Sequence, residues 1–141
     1  MSSLEKAIQI AEQAHEGQRD KAGAPYILHP LRVMMKMATE AEQIIAVLHD
    51  VVEDTDWTME QLQQEGYNRE ILDALDCLAR RDGEEYGDFI KRVKQNPLSV
   101  KVKVADLEDN LDVSRLKGVT DTDAKRLEKY QQALKMLSNL H

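Results

Sequence analysis

A histidine and an aspartate stand side by side at His49 and Asp50, between the apolar run 44–48 and the acidic pair Glu53 and Asp54. We expect this stretch to be a buried helix, and a histidine beside an aspartate is costly to bury unless a charge lies between them. A divalent metal ion meets that need, because neutral imidazole and ionised carboxylate together suit first-row ions such as Mn²⁺, Fe²⁺ or Zn²⁺. An isolated His-Asp pair more often caps a helix or pairs with neighbours. The rest of the chain therefore has to show whether this pair is a metal site.

Two further polar residues lie in apolar sequence, His29 at the start of a predicted helix and Asp106 within a late one. With the first pair they make four residues that could converge on one ion: His29, His49, Asp50 and Asp106. Two imidazoles and carboxylates that leave positions open for water are typical of a catalytic rather than a structural site. His15 falls on the polar side of the first helix, and we interpret it as a surface group or a support for a ligand.

Glu53 and Asp54 follow His49 and Asp50 at a spacing of four, which places each on the same helical face as its predecessor. A carboxylate one turn from a metal can orient an attacking water or accept its proton. The alternative is a helix C-terminus with two solvated acids, but the helix dipole disfavours negative charge there. The full set of residues favours the catalytic interpretation.

The composition and net charge limit the classes of partner that the protein is expected to bind. The 141 residues suffice for one domain spanning 1–141, and the shares of 42% apolar and 32% charged residues are those of a globular protein. A net charge of −7 without a basic cluster argues against a nucleic-acid partner. A small phosphorylated ligand remains possible, because a bound metal and a few local cations can reverse the sign inside a pocket.

Membrane insertion and secretion are not expected. No stretch approaches the roughly 20 apolar residues of a membrane span, and the N-terminus lacks a signal-peptide pattern. The single Cys77 rules out an internal disulfide and fits a reducing compartment. The sequence therefore predicts a cytoplasmic protein, and it leaves the oligomeric state undecided.

Helical spacing of apolar residues appears nearly everywhere and predicts an all-α bundle. The alternating run 100–104 could be a strand by itself, but no partner strand is present. We expect the cluster of Met34, Met35 and Met37 to pack in the core. The first predicted helix carries the apolar stripe from Leu4 to Ala14 and ends near Gly17. The others are one from about Pro30, 41–53, one opened by a Thr58–Gln61 capping box, one capped by Asn68, 85–95, one from Pro97, and one capped by Asp121 or Thr122.

Four sequence motifs resemble the HD-superfamily hydrolase domain of RelA/SpoT enzymes and of the small stand-alone alarmone hydrolases. They span nearly the whole chain in the family's order, and their combination is specific although each alone would be weak. The motifs are AHEGQ at 14–18, APYILHPL at 24–31, LHDVVEDT at 48–55 and KVADLEDNL at 103–111.

The resemblance implies an α-helical HD fold that removes the 3′-pyrophosphate from (p)ppGpp, giving GDP or GTP and pyrophosphate. It implies one Mn²⁺ held by His29, His49, Asp50 and Asp106. Glu53 and Asp54 match the pair that activates and positions the attacking water. Asn110 matches a residue that contacts the nucleoside, and the loop that borders the guanine and phosphates contains Arg19, Lys21 and Tyr26.

Two places depart from the family pattern. Asp20 stands where the family usually has the arginine of an Arg-Lys pair, and Leu107 and Asp109 replace a cation and an imidazole beside the site. Acids near a polyphosphate repel it, so these positions bear on substrate preference. Two alternatives stay open: an HD-type nucleotide phosphatase with another phosphorylated substrate, and a non-catalytic alarmone-binding module. The presence of both Glu53 and Asp54 weighs against the second.

Overall fold

Eight α-helices make up the computed structural model over the residues it describes, 3–112, 116 and 118–138. Within these residues the extended pairing is limited to one isolated bridge between Arg19 and Pro25, so the all-α prediction is confirmed. The helices are α1 (Ser3–Ala14), α2 (Leu28–Met35), α3 (Glu40–Asp54), α4 (Met59–Gln64), α5 (Arg69–Leu78), α6 (Tyr86–Val93), α7 (Pro97–Leu111) and α8 (Asp121–Ser138).

Most predicted helix starts are found in the structure. Thr58 and Gln61 form the reciprocal capping box that opens α4, and Asn68 accepts a hydrogen bond from the backbone N–H of Ile71. Pro97 lies in the first turn of α7, where its missing N–H costs nothing. The alternating run 100–104 lies inside α7 and is helical, as predicted.

The start of the last helix differs by one residue from the prediction. Thr120, rather than Asp121 or Thr122, caps α8: its hydroxyl accepts from the N–H of Asp123 at 3.1 Å, and the Asp123 carboxylate accepts from the N–H of Thr120 at 3.1 Å. The reciprocal bonds satisfy two backbone donors at once, which a single cap at Asp121 would not do. Sequence alone did not separate three adjacent cap-forming residues.

Helix α3 runs through the middle of the bundle and packs against α1, α2, α5 and α7. Every residue from Ile44 to Val51 is buried, in agreement with an apolar run that leaves no polar face. His49 and Asp50 are carried on this helix and are therefore held inside the core. The surrounding helices α2 and α7 then decide which side chains meet them.

The N-terminus of α3 is fixed by Glu42, which is only 3% exposed. Its carboxylate accepts from the backbone N–H groups of Ala38 and Thr39, both at 3.2 Å, while Thr39 caps the helix in return. The second oxygen of Glu42 accepts from Lys101 Nζ at 2.8 Å, which ties α3 to α7. A buried acid is stable here because every one of its partners is a donor.

One core prediction is wrong. Met35 is 76% exposed, whereas Met34 and Met37 pack against the core as expected. Met35 is the last residue of α2 and lies beyond the helical face that meets α3 and α7. Within residues 3–112, 116 and 118–138, no helix has both the length and the apolarity needed to cross a membrane.

We predict that Glu42→Ala destabilises the fold by about 1–3 kcal/mol, because two backbone donors and Lys101 each lose their acceptor. The free energy of unfolding in urea, measured with chelator present, checks this value. Glu40→Ala is the matched control, since Glu40 lies in the same helical turn but is exposed. We expect that control to change stability by no more than about 0.5 kcal/mol. Equal losses in both variants would contradict the role assigned to Glu42.

Candidate metal centre and active site

The four predicted ligand residues come together in the core from three helices. His29 is near the start of α2, His49 and Asp50 lie in α3, and Asp106 lies in α7. All four are buried, and one potential ligand atom from each lies within 4.8 Å of the others. Two imidazole nitrogens and two carboxylate oxygens at this separation can hold one divalent ion.

Both imidazoles turn Nε2 toward the carboxylates. Asp106 Oδ1 lies 2.8 Å from His29 Nε2 and 3.2 Å from His49 Nε2, and Asp50 Oδ2 lies 3.3 Å from His49 Nε2. The other ring nitrogen of His49, Nδ1, lies 2.5 Å from the carbonyl oxygen of Ala46. Because a carbonyl only accepts, Nδ1 carries the hydrogen, and Nε2 of the neutral ring is left to bind a metal.

The buried carboxylates of the cluster favour a positive charge between them. Burial by itself lowers the pKa of His29, but hydrogen bonds to Asp106 and Asp109 raise it to about 10. The pKa of His49 is raised as well, because Asp50 and Asp106 outweigh its burial. Burial raises the pKa of Asp106, yet Lys103 and the imidazoles bring it well below its ordinary value. Protons on the imidazoles thus occupy the role that a divalent ion would fill, and its binding would release them.

Neighbouring side chains orient the two carboxylates. Tyr26 donates its hydroxyl to Asp50 Oδ2 at 2.7 Å, and Asn110 Nδ2 donates to Asp106 Oδ1 at 3.3 Å. Lys103 Nζ donates to Asp106 Oδ2 at 2.9 Å. Burial and the charge of Asp50 raise the pKa of Tyr26, so its hydroxyl stays a donor. Tyr26 and Asn110, predicted as substrate contacts, therefore also hold the cluster.

Glu53 and Asp54 end α3 and are exposed to the same cavity as the cluster. Partial burial and the nearby charge of Asp50 raise the pKa of both carboxyl groups. A carboxylate with a raised pKa is a better proton acceptor than an ordinary surface acid. Their placement fits the predicted role of handling the proton of a water.

The cavity above the cluster has a volume of about 540 Å³. Its far side, formed by α6 to α8 and the turn before α6, carries cations over aromatic rings: Lys129 Nζ lies 4.6 Å from the ring centre of Tyr86, and the guanidinium of Arg80 lies 5.5 Å from it. Arg126 and Tyr130 complete this wall. The sequence did not predict this wall, although the spacing of four from Arg126 to Tyr130 puts both on one helical face.

The near side of the cavity is the loop that contains Arg19 and Lys21. Arg19 donates to the carbonyl oxygen of Gly23 at 3.0 Å, and Lys21 is exposed toward the cavity. Asp20 Oδ1 accepts from the backbone N–H groups of Ala22 and Ala24, both at 2.9 Å. Asp20 therefore shapes the turn that presents Arg19 and Lys21, besides placing a charge near the cavity.

His15 is not a surface group, because it is only 2% exposed. Its Nδ1 lies 2.8 Å from Gln18 Oε1, and its ring centre lies 5.0 Å from that of Tyr26. The first helix therefore turns His15 inward, where it packs behind the residue that hydrogen-bonds Asp50. The alternative that we gave it, a support for a ligand, describes this position.

The buried Asp109 and the partly exposed Arg32 form an ion pair behind His29 that the sequence did not reveal. The carboxylate accepts from Arg32 Nε at 2.8 Å and Nη2 at 3.0 Å, and it lies 2.6 Å from His29 Nδ1. Asp109 was expected to repel a polyphosphate from beside the site. His29 and Arg32 offset part of its charge, and Asp109 also lines the cavity, so the repulsion stays a prediction.

Residues 7–84 match the family described as HD domain, which is more than half of the chain and includes His29, His49 and Asp50. A guanosine-3′,5′-bis(diphosphate) 3′-pyrophosphohydrolase of Aquifex aeolicus is 31% identical over 119 residues, covering 77% of this chain and 17% of that protein. The enzyme of the same name from Vibrio cholerae is 30% identical over 138 residues, covering 89% of this chain and 19% of that protein. The chain thus spans less than a fifth of these curated relatives.

A solved structure of a metazoan ortholog of SpoT, described as hydrolysing ppGpp and acting in starvation responses, shares the fold. It superposes with a TM-score of 0.77 at 21% identity, covering 99% of this chain and 87% of that one. At this identity the likeness concerns the fold alone. The predicted HD-type helical bundle is confirmed.

We predict that the metal-free protein loses stability as the pH rises from 7 to 10. The pKa of His29 lies near 6.5 in an unfolded chain and is raised to about 10 in the fold. Its contribution is therefore fully present below pH 6.5 and is lost as the pH rises through about 10, by at most a few kcal/mol. Thermal unfolding in chelator at successive pH values measures it. His29→Gln should show a shallower fall over the same range, and parallel curves for the two proteins would contradict the prediction.

Proposed function

The chain belongs to the HD-domain family, and on that premise we propose that it is a metal-dependent phosphohydrolase that acts on (p)ppGpp. The reaction would release pyrophosphate from the ribose 3′ position and leave GDP or GTP. One observation carries the proposal: a buried His/Asp cluster and the acids Glu53 and Asp54 face one cavity of about 540 Å³ whose walls carry cations. The names of the curated relatives supply the substrate class.

We assign the metal to His29, His49, Asp50 and Asp106, whose donor atoms fit a divalent first-row ion. Mn²⁺ is the proposed ion, with Fe²⁺ and Zn²⁺ as alternatives. When bound, such an ion polarises the scissile phosphate and lowers the pKa of a water in its coordination sphere. Lys103, Tyr26 and Asn110 would keep the ligand carboxylates in place through the hydrogen bonds described above.

Glu53 and Asp54 would orient the attacking water and take up its proton. Water oxygen bonds to the phosphorus next to the ribose, the bond from phosphorus to the 3′ oxygen breaks, and that oxygen leaves with a proton as the 3′ hydroxyl. The raised pKa of both acids supports this role, because a stronger base removes the proton more readily.

The two walls of the cavity would bind the charged ends of the substrate. Arg19 and Lys21 on the loop, with Tyr26 and Asn110 below them, are the proposed contacts to the nucleoside and its phosphates. Arg80 and Lys129 on the opposite wall supply positive charge for a second phosphate group. A molecule with phosphates at two positions uses both walls, whereas a monophosphate uses one.

A nucleotide phosphatase with a less charged substrate is the second candidate, and Asp20 favours it. This carboxylate lines the cavity on the side of Arg19 and Lys21 and offsets part of their charge. One assay separates the candidates: purified protein with Mn²⁺ is given ppGpp, other nucleotides and NADPH, and released phosphate and pyrophosphate are measured separately. Pyrophosphate from ppGpp supports the proposal, and phosphate from another nucleotide supports the phosphatase. Binding of ppGpp without turnover would indicate an alarmone-binding module.

We predict that Glu53→Gln retains its metal but loses about 10²-fold or more in kcat, because the amide cannot accept the proton. Asp50→Ala should lose both metal and activity, since it removes a ligand. Metal content by elemental analysis and kcat on the same preparations check the two variants. Glu60→Gln, an exposed acid in α4, is the control for charge removal alone. Full activity in Glu53→Gln would require another proton acceptor.

We predict that Asp20→Asn lowers the KM for ppGpp a few-fold and leaves kcat unchanged, which corresponds to about 1 kcal/mol of relieved repulsion. Asparagine keeps an oxygen for the N–H groups of Ala22 and Ala24, so the turn is preserved. Asp20→Arg adds a positive charge but removes the oxygen that accepts from Ala22 and Ala24. We therefore expect it to lower the KM for ppGpp by less than the change in charge alone would. Steady-state kinetics of both variants decide the point. A higher KM in Asp20→Asn would show that the acid helps to bind the true substrate.

A further inference from the structure

We propose that Asp109 is a positioning residue for the metal centre: it holds the ring of His29 with Nε2 toward the cluster, and Arg32 holds Asp109 in turn. The inference rests on the proposed function only in taking the cluster to bind a divalent ion. It assigns a task to a residue at which the chain departs from the family pattern, where a carboxylate replaces an imidazole.

The geometry at His29 defines which nitrogen faces the cluster. Nδ1 lies 2.6 Å from Asp109 Oδ2, and Nε2 lies 2.8 Å from Asp106 Oδ1. An ionised carboxylate only accepts hydrogen bonds, so Asp109 keeps the hydrogen on Nδ1. The lone pair of the neutral ring is then on Nε2, which is the atom that points at Asp106 and at Asp50.

The ring of His49 is oriented from within its own helix. Its Nδ1 contacts the carbonyl oxygen of Ala46, three residues earlier in α3. His29 is the second residue of α2, and the residue three positions before it, Tyr26, precedes the helix. The carbonyl of Tyr26 accepts instead from the backbone N–H of His29 at 3.0 Å. The contact to the ring nitrogen Nδ1 of His29 comes from another element, because Asp109 on α7 lies 2.6 Å from it.

Arg32 makes the arrangement rigid. Its Nε and Nη2 donate to the two oxygens of Asp109 at 2.8 and 3.0 Å, a forked contact that fixes the plane of the carboxylate. Arg32 lies three residues after His29 on α2, and Asp109 lies three residues after Asp106 on α7. The contact thus connects the two helices directly behind two of the proposed ligands, and the side chain of Asp109 is only 6% exposed.

A carboxylate that accepts from a metal-bound histidine fixes the ring and makes its free nitrogen a stronger ligand, and loss of such a partner typically weakens metal binding 10–100-fold. Position 109 in this chain fits that description better than it fits a substrate contact. The carboxylate points at His29 and Arg32, and repulsion of an anionic substrate is reduced by both.

The test measures Mn²⁺ binding to the metal-free protein by titration calorimetry. We expect Asp109→Ala to bind Mn²⁺ about 10–100-fold more weakly than the wild type. Asp109→Asn, which keeps the size and one acceptor for Nδ1, should lose less, and Arg32→Met should also lose less than Asp109→Ala. Glu108→Gln is the control, because Glu108 is the exposed neighbour on the same helix, and its Mn²⁺ affinity should equal that of the wild type.

Two further readouts separate positioning from a general effect on the fold. In the Zn²⁺-loaded wild type, nitrogen-15 spectra of the imidazoles should show a slowly exchanging Nδ1–H for His29, and this signal should disappear in Asp109→Ala. At saturating Mn²⁺ the KM for ppGpp of Asp109→Asn should match the wild type, while a substrate-binding role would change it.

Unaltered Mn²⁺ affinity in folded Asp109→Ala and Asp109→Asn would overturn the inference, as would a His29 ring that binds through Nδ1. A lowered unfolding temperature with unchanged affinity would also overturn it, because it would show a structural role only. If the wild type itself binds no Mn²⁺, the proposed metal centre fails and the inference fails with it. If the wild type binds Mn²⁺ but leaves ppGpp intact, the proposed function fails and the assignment of Asp109 stands.

Discussion

The placement of two carboxylates and two imidazoles inside a helical core is the constraint on which the rest of this structure depends. Desolvation opposes each charge, and the cluster is stable only because donors surround the acids. Asp106 receives hydrogen bonds or ion pairs from His29, His49 and Lys103. The same need for positive charge that raises the pKa of His29 favours binding of a divalent ion. Stability of the apo fold and metal affinity therefore have one origin.

This constraint explains why the middle of α3 is buried on every side. A helix that carries His49 and Asp50 into the core has to be buried around these two residues, and Ile44 to Val51 meet that condition. Its ends are then secured by polar contacts, at Thr39 and Glu42 at the start. The exposed acids Glu53 and Asp54 follow directly where the helix leaves the core and line the cavity there.

The features that sequence predicted are those with local signals. The Thr58–Gln61 capping box, Pro97 and the period of apolar residues each concern a few neighbouring positions, and they predicted the helices to within a few residues at their ends. The proposed ligand set required more than local signals. His29 and Asp106 stand out only as polar residues in apolar sequence, and the resemblance to a family connected them.

Contacts between distant residues could not be predicted in the same way. Arg32 and Asp109 are 77 positions apart, and Glu42 and Lys101 are 59 apart. Each looks in the sequence like one more surface charge among the 45 charged residues, since 19 are basic and 26 acidic. Packing of α2 and α3 on α7 turns these charges inward. The periodicity of apolar residues does not predict that a charged side chain will be buried. Asp109 was consequently interpreted as a repulsive charge, when its position behind His29 gives it partners.

The net charge of −7 was likewise a poor guide to the cavity. A sum over the chain counts the exposed acids of α1, α4 and α5 equally with the cations that line the pocket, although screening removes most of the influence of a charge beyond about 10 Å in salt solution. Arg80 and Lys129 lie over aromatic rings in one wall, and Arg19 and Lys21 lie in the other. The wall with Arg80 and Lys129 therefore carries mainly cations, whereas Asp20 lies beside Arg19 and Lys21 in the loop, and Glu53 and Asp54 line the cavity at the end of α3. The sign of the field that a ligand experiences is set by this local arrangement, and it can differ from the sign of the whole protein.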